Sequence, residues 1–343
     1  MNQDRSSAAP LVLSAAVLLF AAAFFARAIL APVTFAIFIV AIIWPLQDAF
    51  QKRLPKLLAL VLTLGATLAV LAVMGLLIVW AFGLVAQWLV ANVARFQALY
   101  LRAIETLEAH GVAVRALMAT SLNPSSVTGV LRQIGGQGYG LLSFLVIAFA
   151  FTVLGLLEVD IGRRNIDRLE NPRLRAALLG PAGDVSAKLR KYMAVRSLMS
   201  LLTGAVVWVF ALVAGIELAT AWGVIAFVLN YIPFIGSLVA TVFPSLFTLA
   251  QFESWRLALL VFVALNGVQF FIGSYLEPRV AGAQLSLSPF MVLFAVFFWS
   301  FLWGIAGAFI GVPLLIVALT VCAEHDSTRW LAILMSGGDA KNR

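Results

Sequence analysis

At 343 residues, with 63% hydrophobic and 11% charged residues and a mean hydropathy of +1.05, the chain is far too apolar for a soluble protein. Its apolar runs are long and continuous, which excludes a β-barrel with its alternating strands and predicts an all-α polytopic membrane protein. The net charge of +8 does not mark a nucleic-acid partner, because most of the excess lies in loops beside apolar runs, where Lys and Arg set orientation.

The polar residues 1–10 carry Arg5 as a weak cytoplasmic marker. The first apolar run lacks a small-residue cleavage site, so no cleavable signal peptide is expected. Leu11–Ala26 and Ala28–Trp44 read as a tight helical hairpin turning near Pro32, with Arg27 able to snorkel to the headgroups. Lys52, Arg53 and Lys56 place the next loop in the cytoplasm. Leu57–Val85 is a third span, long enough to tilt or to project beyond the bilayer.

Residues 86–138 change character. Leu89, Val93, Phe96, Tyr100, Ile104 and Leu107 recur at intervals of three and four, with Arg95, Arg102, Glu105 and Glu108 largely between them. That pattern predicts an extramembrane amphipathic helical insertion. Gly135, Gly136, Gly138 and Gly140 mark a flexible approach to a fourth span, Leu141–Leu157. The segment 159–197 follows, with nine Lys and Arg residues against Asp160, Asp167, Glu170 and Asp184. It reads as a basic cytoplasmic helical loop, and four preceding spans then put the N-terminus in the cytoplasm as well.

Leu198–Ile216 is a fifth span. Next comes Ala221–Ala250, 30 residues without a charge, more than the roughly 20 a helix needs to cross. Its middle reads Asn230-Tyr231-Ile232-Pro233-Phe234-Ile235-Gly236. Proline removes a backbone donor and glycine removes restraint, so a break is expected here. Backbone groups freed at that depth need neighbours or a wet cavity, and broken helices often line transport sites. Leu257–Tyr275, with Asn266, Gln269 and Gly273, is another span, followed by Glu277-Pro278-Arg279. The 34-residue run Phe290–Ala323 is too long for one straight span, and Gly304, Gly307, Gly311 and Pro313 can divide it as hinges. The simplest count is eight spans, two of them broken or re-entrant. The polar tail from Glu324 is expected in the cytoplasm.

Motifs for metalloprotease, nucleotide-loop or serine-hydrolase chemistry are missing from the sequence, which points away from an enzyme. A lone Cys322 excludes an internal disulfide and a cysteine-based metal cluster, and His110 and His325 lie in polar segments as solvated residues. No cofactor is expected. The candidates for function are polar groups near membrane depth: Asn230, Asn266, Gln269, Glu277 and Arg279. An ionisable group at the bilayer centre costs about 2.5–3.5 kcal/mol on insertion scales, so it needs a partner or a cavity. Glu277 reads either as an ion carrier or as half of a structural pair with Arg279.

The stretch 230–236 resembles the signature of the autoinducer-2 exporter (AI-2E) family. The likeness continues through Tyr275-Leu276-Glu277-Pro278-Arg279-Val280-Ala281-Gly282, Leu285-Ser286-Leu287-Ser288-Pro289, Trp303-Gly304-Ile305-Ala306-Gly307 and Gly311-Val312-Pro313. Leu189-Arg190-Lys191-Tyr192 is similar to this family too. The resemblance implies a bacterial inner-membrane carrier of about eight spans, a homo-oligomer in contact with lipid, moving a small polar solute. Relatives are linked to autoinducer-2 export and others to sodium (lithium)/proton antiport. Many carry a glutamate about five residues before the Glu-Pro pair; here Ile272 stands in that place, which weakens antiport. The expected translocation residues are Asn230, Pro233, Gly236, Gln269, Gly273, Glu277 and Arg279. A sodium(lithium)/proton antiporter led by Glu277, and a non-transporting scaffold whose 86–138 region recruits partners, are the alternatives.

Overall fold

A computed structural model describes residues 14, 17–109, 124–282, 287–324 and 326–335 of the chain. Both histidines, the whole 110–123 connection and residues 283–286 lie outside these residues. The regular elements among the described residues are helices: α1 (residues 17–25), α2 (Arg27–Gln51), α3 (Lys56–Ala91), α4 (Val93–Ala109), α5 (Pro124–Asp167) and α6 (Pro172–Val213). After them come α7 (Ala219–Leu229), α8 (Ile235–Phe252), α9 (Trp255–Phe270), a π-helical turn (Phe271–Leu276), α10 (Glu277–Ala281), α11 (Pro289–Glu324) and α12 (Arg329–Met335). Seven helical stretches are long and apolar enough to cross a membrane, and α7 is a shorter apolar helix of 11 residues. Large apolar side chains stand outward along them, with Val213 and Phe25 each 84% exposed. A soluble surface does not carry such a coat; lipid covers it.

Several expected boundaries move. The break in the first apolar stretch falls at Ala26 (φ −86°, ψ 14°), and Pro32 lies inside α2 instead of marking a turn. α5 runs unbroken through Gly135, Gly136, Gly138 and Gly140, because glycine lowers helix propensity by about 1 kcal/mol without forbidding the conformation.

The chain forms two compact units. The first comprises residues 1–65, 143–192 and 284–343, the second 66–142 and 193–283, so α3, α5 and α6 each contribute to both. In the first unit Phe35 lies edge-on to Phe144 at 5.4 Å and tilted on Phe309 at 5.6 Å, and Lys56 meets Asp160 at 2.8 Å. Ser186 donates to the Ala41 carbonyl, and Lys188 donates to Thr320 Oγ1 at 3.1 Å. In the second unit Trp222, Ala226, Val207, Ala211, Phe247 and Leu265 form the core.

Among the described residues each unit contains an apolar helical run that folds back on itself. In the second unit α7 and α8 are the arms and residues 230–234 the turn. A Cβ on Gly236 would fall on the Leu229 carbonyl oxygen, so only glycine lets the arms approach there. At the open end of this hairpin Gln251 accepts from the Glu217 amide (2.9 Å) and donates to the Gly215 carbonyl (3.0 Å). The segment therefore enters and leaves at one end of its unit. Of the two readings left open for 221–250, a broken span and a re-entrant hairpin, this geometry favours the hairpin.

The second pair is hidden inside α11. Gly304 (φ 64°, ψ −143°) interrupts it in a conformation open only to glycine, and the run reverses there. A Cβ on Gly307 would fall on the Trp299 carbonyl, and one on Gly311 would stand 2.8 Å from the Ala295 carbonyl. Contacts at 299 with 307 and at 295 with 311 are those of antiparallel arms. Pro313 lies buried within the second arm. By rise per residue the first arm, 289–303, is about 22 Å long, short of the roughly 30 Å hydrocarbon core.

Candidate functional site

Residues 230–234 of the second unit form a turn in which proline and a left-handed residue end one helix and start another. Phe234 takes φ 64° and ψ −48°, a costly region for a residue with a Cβ, and it stands 46% exposed at the tip. Most amides of the break already have backbone partners. Ile232 donates to the Leu229 carbonyl (2.9 Å), Ile235 to Pro233 (2.7 Å) and Gly236 to Ile232 (2.9 Å). The proline costs no bond in such a turn, because it offers only its carbonyl.

What the turn presents instead is side chains. Asn230 is 6% exposed and donates from Nδ2 to Ser200 Oγ at 3.2 Å. The Tyr231 hydroxyl bonds to Ser197 Oγ at 2.9 Å. Both serines lie on α6, where Arg196, next to Ser197 and one turn before Ser200, donates from Nη1 to Glu277 Oε1 at 2.7 Å. Glu277 follows the π-helical turn, which shifts the helical register just where the carboxylate must face α6.

Arg196, Ser200 and Thr203 fall at i, i+4 and i+7, one stripe of α6, with exposures of 7%, 0% and 0%. Counted along the helix from Val213, they lie about 26, 20 and 15 Å in, so the stripe runs through the depth of a bilayer core. Close helix approach seats the hairpin on it. A Cβ on Gly204 would stand 2.8 Å from the Gly223 carbonyl, and one on Gly223 would stand 2.6 Å from the Trp208 Cβ. In lipid, van der Waals contact between small residues supplies what water expulsion supplies elsewhere.

The electrostatics follow from the pairing. Arg196 and Glu277 cancel one another at a site where either alone would be costly. Among the described residues of this unit four buried side-chain polar atoms have no protein partner: Arg196 Nε, Thr203 Oγ1, Trp222 Nε1 and Gln269 Nε2. Such atoms in a native interior call for an explanation, and a transient polar guest is one.

The structure thus brings Asn230 and Glu277, with the residues around Pro233 and Gly236, onto one face of α6. Gln269 lies two helical turns before Glu277 on the facing helix. Gly273 sits in the π-helical turn with open space where a Cβ would go. Arg279 does not pair with Glu277; its guanidinium lies over the Tyr275 ring at 3.9 Å. The register shift gives the carboxylate to Arg196 instead. Asn266 is exposed and spends its amide on the Phe262 carbonyl at 2.8 Å. Ile272 is 4% exposed and packs in an apolar cluster with Val195 and Met199. Gly304, Gly307, Gly311 and Pro313 belong to the other unit. Sequence reasoning missed Arg196, Ser197, Ser200 and Thr203. Their spacing along one helix face was the available signal, and Arg196 was masked by the basic run that precedes it.

The chain matches the family described as AI-2E family transporter over residues 13–325. It is 27% identical over 320 residues to the AI-2 transport protein TqsA of Escherichia coli (strain K12), covering 91% of this chain and 90% of that one. A protein of Borreliella burgdorferi named as a provisional transport protein is 32% identical over 193 residues, covering 56% of this chain and 52% of that one. The similarly named YhhT of Escherichia coli (strain K12) is 33% identical over 175 residues, 51% of this chain and 49% of that one. The chain thus spans about half the length of two of these relatives and nine tenths of the third.

Proposed function

The chain belongs to the AI-2E family of membrane transporters, and on that premise we propose that it exports a small, polar, uncharged solute across the bacterial inner membrane. The observation that carries this reading is the meeting of three elements on one stripe of α6. The hairpin turn contributes Asn230 and Tyr231, α10 contributes Glu277, and α6 offers Ser197 beside the stripe of Arg196, Ser200 and Thr203. A solute with hydroxyl or carbonyl groups replaces the serine contacts of the turn and takes the unspent Arg196 Nε–H. The hairpin then swings off and closes again, with the glycines of both hairpins as hinges. A solute like autoinducer-2, the substrate in the name of the relative TqsA, fits this donor set.

The basic 159–197 segment and both termini lie in the cytoplasm, 86–138 lies outside, and identical chains assemble as an oligomer. The antiport alternative needs a carboxylate free to gain and lose a proton. Glu277 instead meets Arg196 at 2.7 Å, and apolar packing surrounds Ile272, which supports the solute reading.

Purified protein in sealed vesicles, loaded in turn with polyols, small carbonyl sugars, amino acids and sodium or lithium, tests this. Saturable flux of uncharged polyhydroxy or carbonyl solutes, lost in Ser200→Ala with Asn230→Ala, is expected. Sodium or lithium exchange that acidifies or alkalinises the lumen, with no solute flux, overturns it.

A further inference from the structure

The span that carries Glu277 has an outer face that takes no part in the site proposed above. Phe271, Tyr275 and Arg279 recur every four residues and so stack one above the next. The Phe271 and Tyr275 rings lie 5.4 Å apart at 23°, and the Arg279 guanidinium sits 3.9 Å over Tyr275. Phe271 is 56% and Tyr275 46% exposed, and Arg279 is exposed as well. Among the described residues Arg279 has no ion-pair partner, because the neighbouring carboxylate is spent on Arg196.

Depth orders this ladder. Trp255, 66% exposed, and Arg256 open α9 and mark one interface of the membrane. About 20 residues of helix cross the hydrocarbon, which brings the other interface to about Leu276. Phe271 then lies among acyl chains, Tyr275 at the boundary and Arg279 in the headgroup layer about 6 Å beyond it. Stacking on Tyr275 holds the guanidinium plane and leaves its outward N–H groups for a phosphate, with which planar Arg pairs through two bonds.

We propose that Phe271, Tyr275 and Arg279 form a binding site for an anionic phospholipid, with the lipid phosphate on Arg279 and an acyl chain along Tyr275 and Phe271. Charge complementarity selects the occupant: a lone cation at headgroup depth, above apolar rings, suits one negative headgroup carrying a hydrocarbon tail. The site does not depend on which solute is carried.

Native mass spectrometry of the delipidated whole protein, titrated with phosphatidylglycerol or with phosphatidylcholine of the same chains, tests it. One Arg near the surface is worth about fivefold in affinity for an anionic lipid, so wild type should favour phosphatidylglycerol by about that factor. Arg279→Gln should bring the two lipids level, and Arg279→Lys should keep part of the preference. Tyr275→Leu should weaken phosphatidylglycerol binding with the charge still in place. Glycerol phosphate, which has the anion without the tail, should not compete. An undiminished preference in Arg279→Gln, or equal competition by glycerol phosphate, overturns the proposal. So does a change of oligomeric mass in place of lipid loss, which would make the ladder a contact between copies. Should Arg279→Gln fail to assemble, Arg279→Lys and Tyr275→Leu carry the decision: retention of the full preference by both rejects the site.

Discussion

Glu277 and Arg196 meet with 27% and 8% of their side chains exposed, so each charge depends on the other for most of its solvation. Removing one partner of a buried pair costs about 3–5 kcal/mol, because the survivor is left uncompensated. Glu277→Gln should therefore lower the thermal midpoint and the yield of folded protein, and Arg196→Gln should do the same. The double substitution Glu277→Gln with Arg196→Gln should recover most of the loss, whereas pairing Glu277→Gln with Arg279→Gln should recover none. Thermal unfolding in detergent reads all four variants, and rescue by the Arg279 change would return the carboxylate to that residue. Glu277 could be singled out from the sequence, because an acid beside a proline at the end of an apolar run is unusual. Its partner could not. Arg196 closes a run of basic residues that orientation alone explains, and only its place on the stripe with Ser200 and Thr203 sets it apart. The register shift of the π-helical turn leaves no trace in composition, so Arg279 looked the nearer partner.

At the scale of elements, glycines sort by what surrounds them. Gly236 and Gly307 each face a carbonyl that a Cβ would strike, whereas Gly273 has open space. Gly236→Ala and Gly307→Ala should force the hairpin arms apart and cut the folded yield severely. Gly273→Ala should be neutral or stabilising by up to about 1 kcal/mol, as in any helix interior. Gly304→Ala should fall between them at about 1–3 kcal/mol, since no atom crowds the site but the backbone conformation is one that glycine alone adopts readily. Fluorescence-detected size exclusion ranks the four, and equal behaviour of Gly236→Ala and Gly273→Ala would contradict the close approach of the arms. The break at Pro233 and Gly236 was legible, because those residues oppose a straight helix whatever surrounds them. Whether the chain crosses or reverses there was not legible. Hydropathy registers how apolar a run is and is blind to the direction in which it leaves.

For the whole molecule the hairpin changes what a topology experiment should find. Gln251 ties the ends of the 219–252 segment together, so positions 217 and 253 belong on one side of the membrane. Arg102, which meets Glu253 at 2.7 Å, belongs there too. Single cysteines at 102, 217 and 253 in a Cys322→Ser background should all react with an impermeant reagent from outside intact cells, and one at 175 should not. Opposite labelling of 217 and 253 would restore the single crossing. The Arg196–Glu277 pair also sets a clock. Its members are 81 residues apart, and at about 5–20 residues per second a ribosome takes about 4–16 s to supply the second after the first. Through that interval Arg196 lacks the carboxylate that satisfies it in the finished protein, so this end of α6 should stay open to water until Glu277 emerges. Nascent chains stalled before residue 277 should leave a cysteine at position 193 more open to aqueous reagent than chains stalled beyond it.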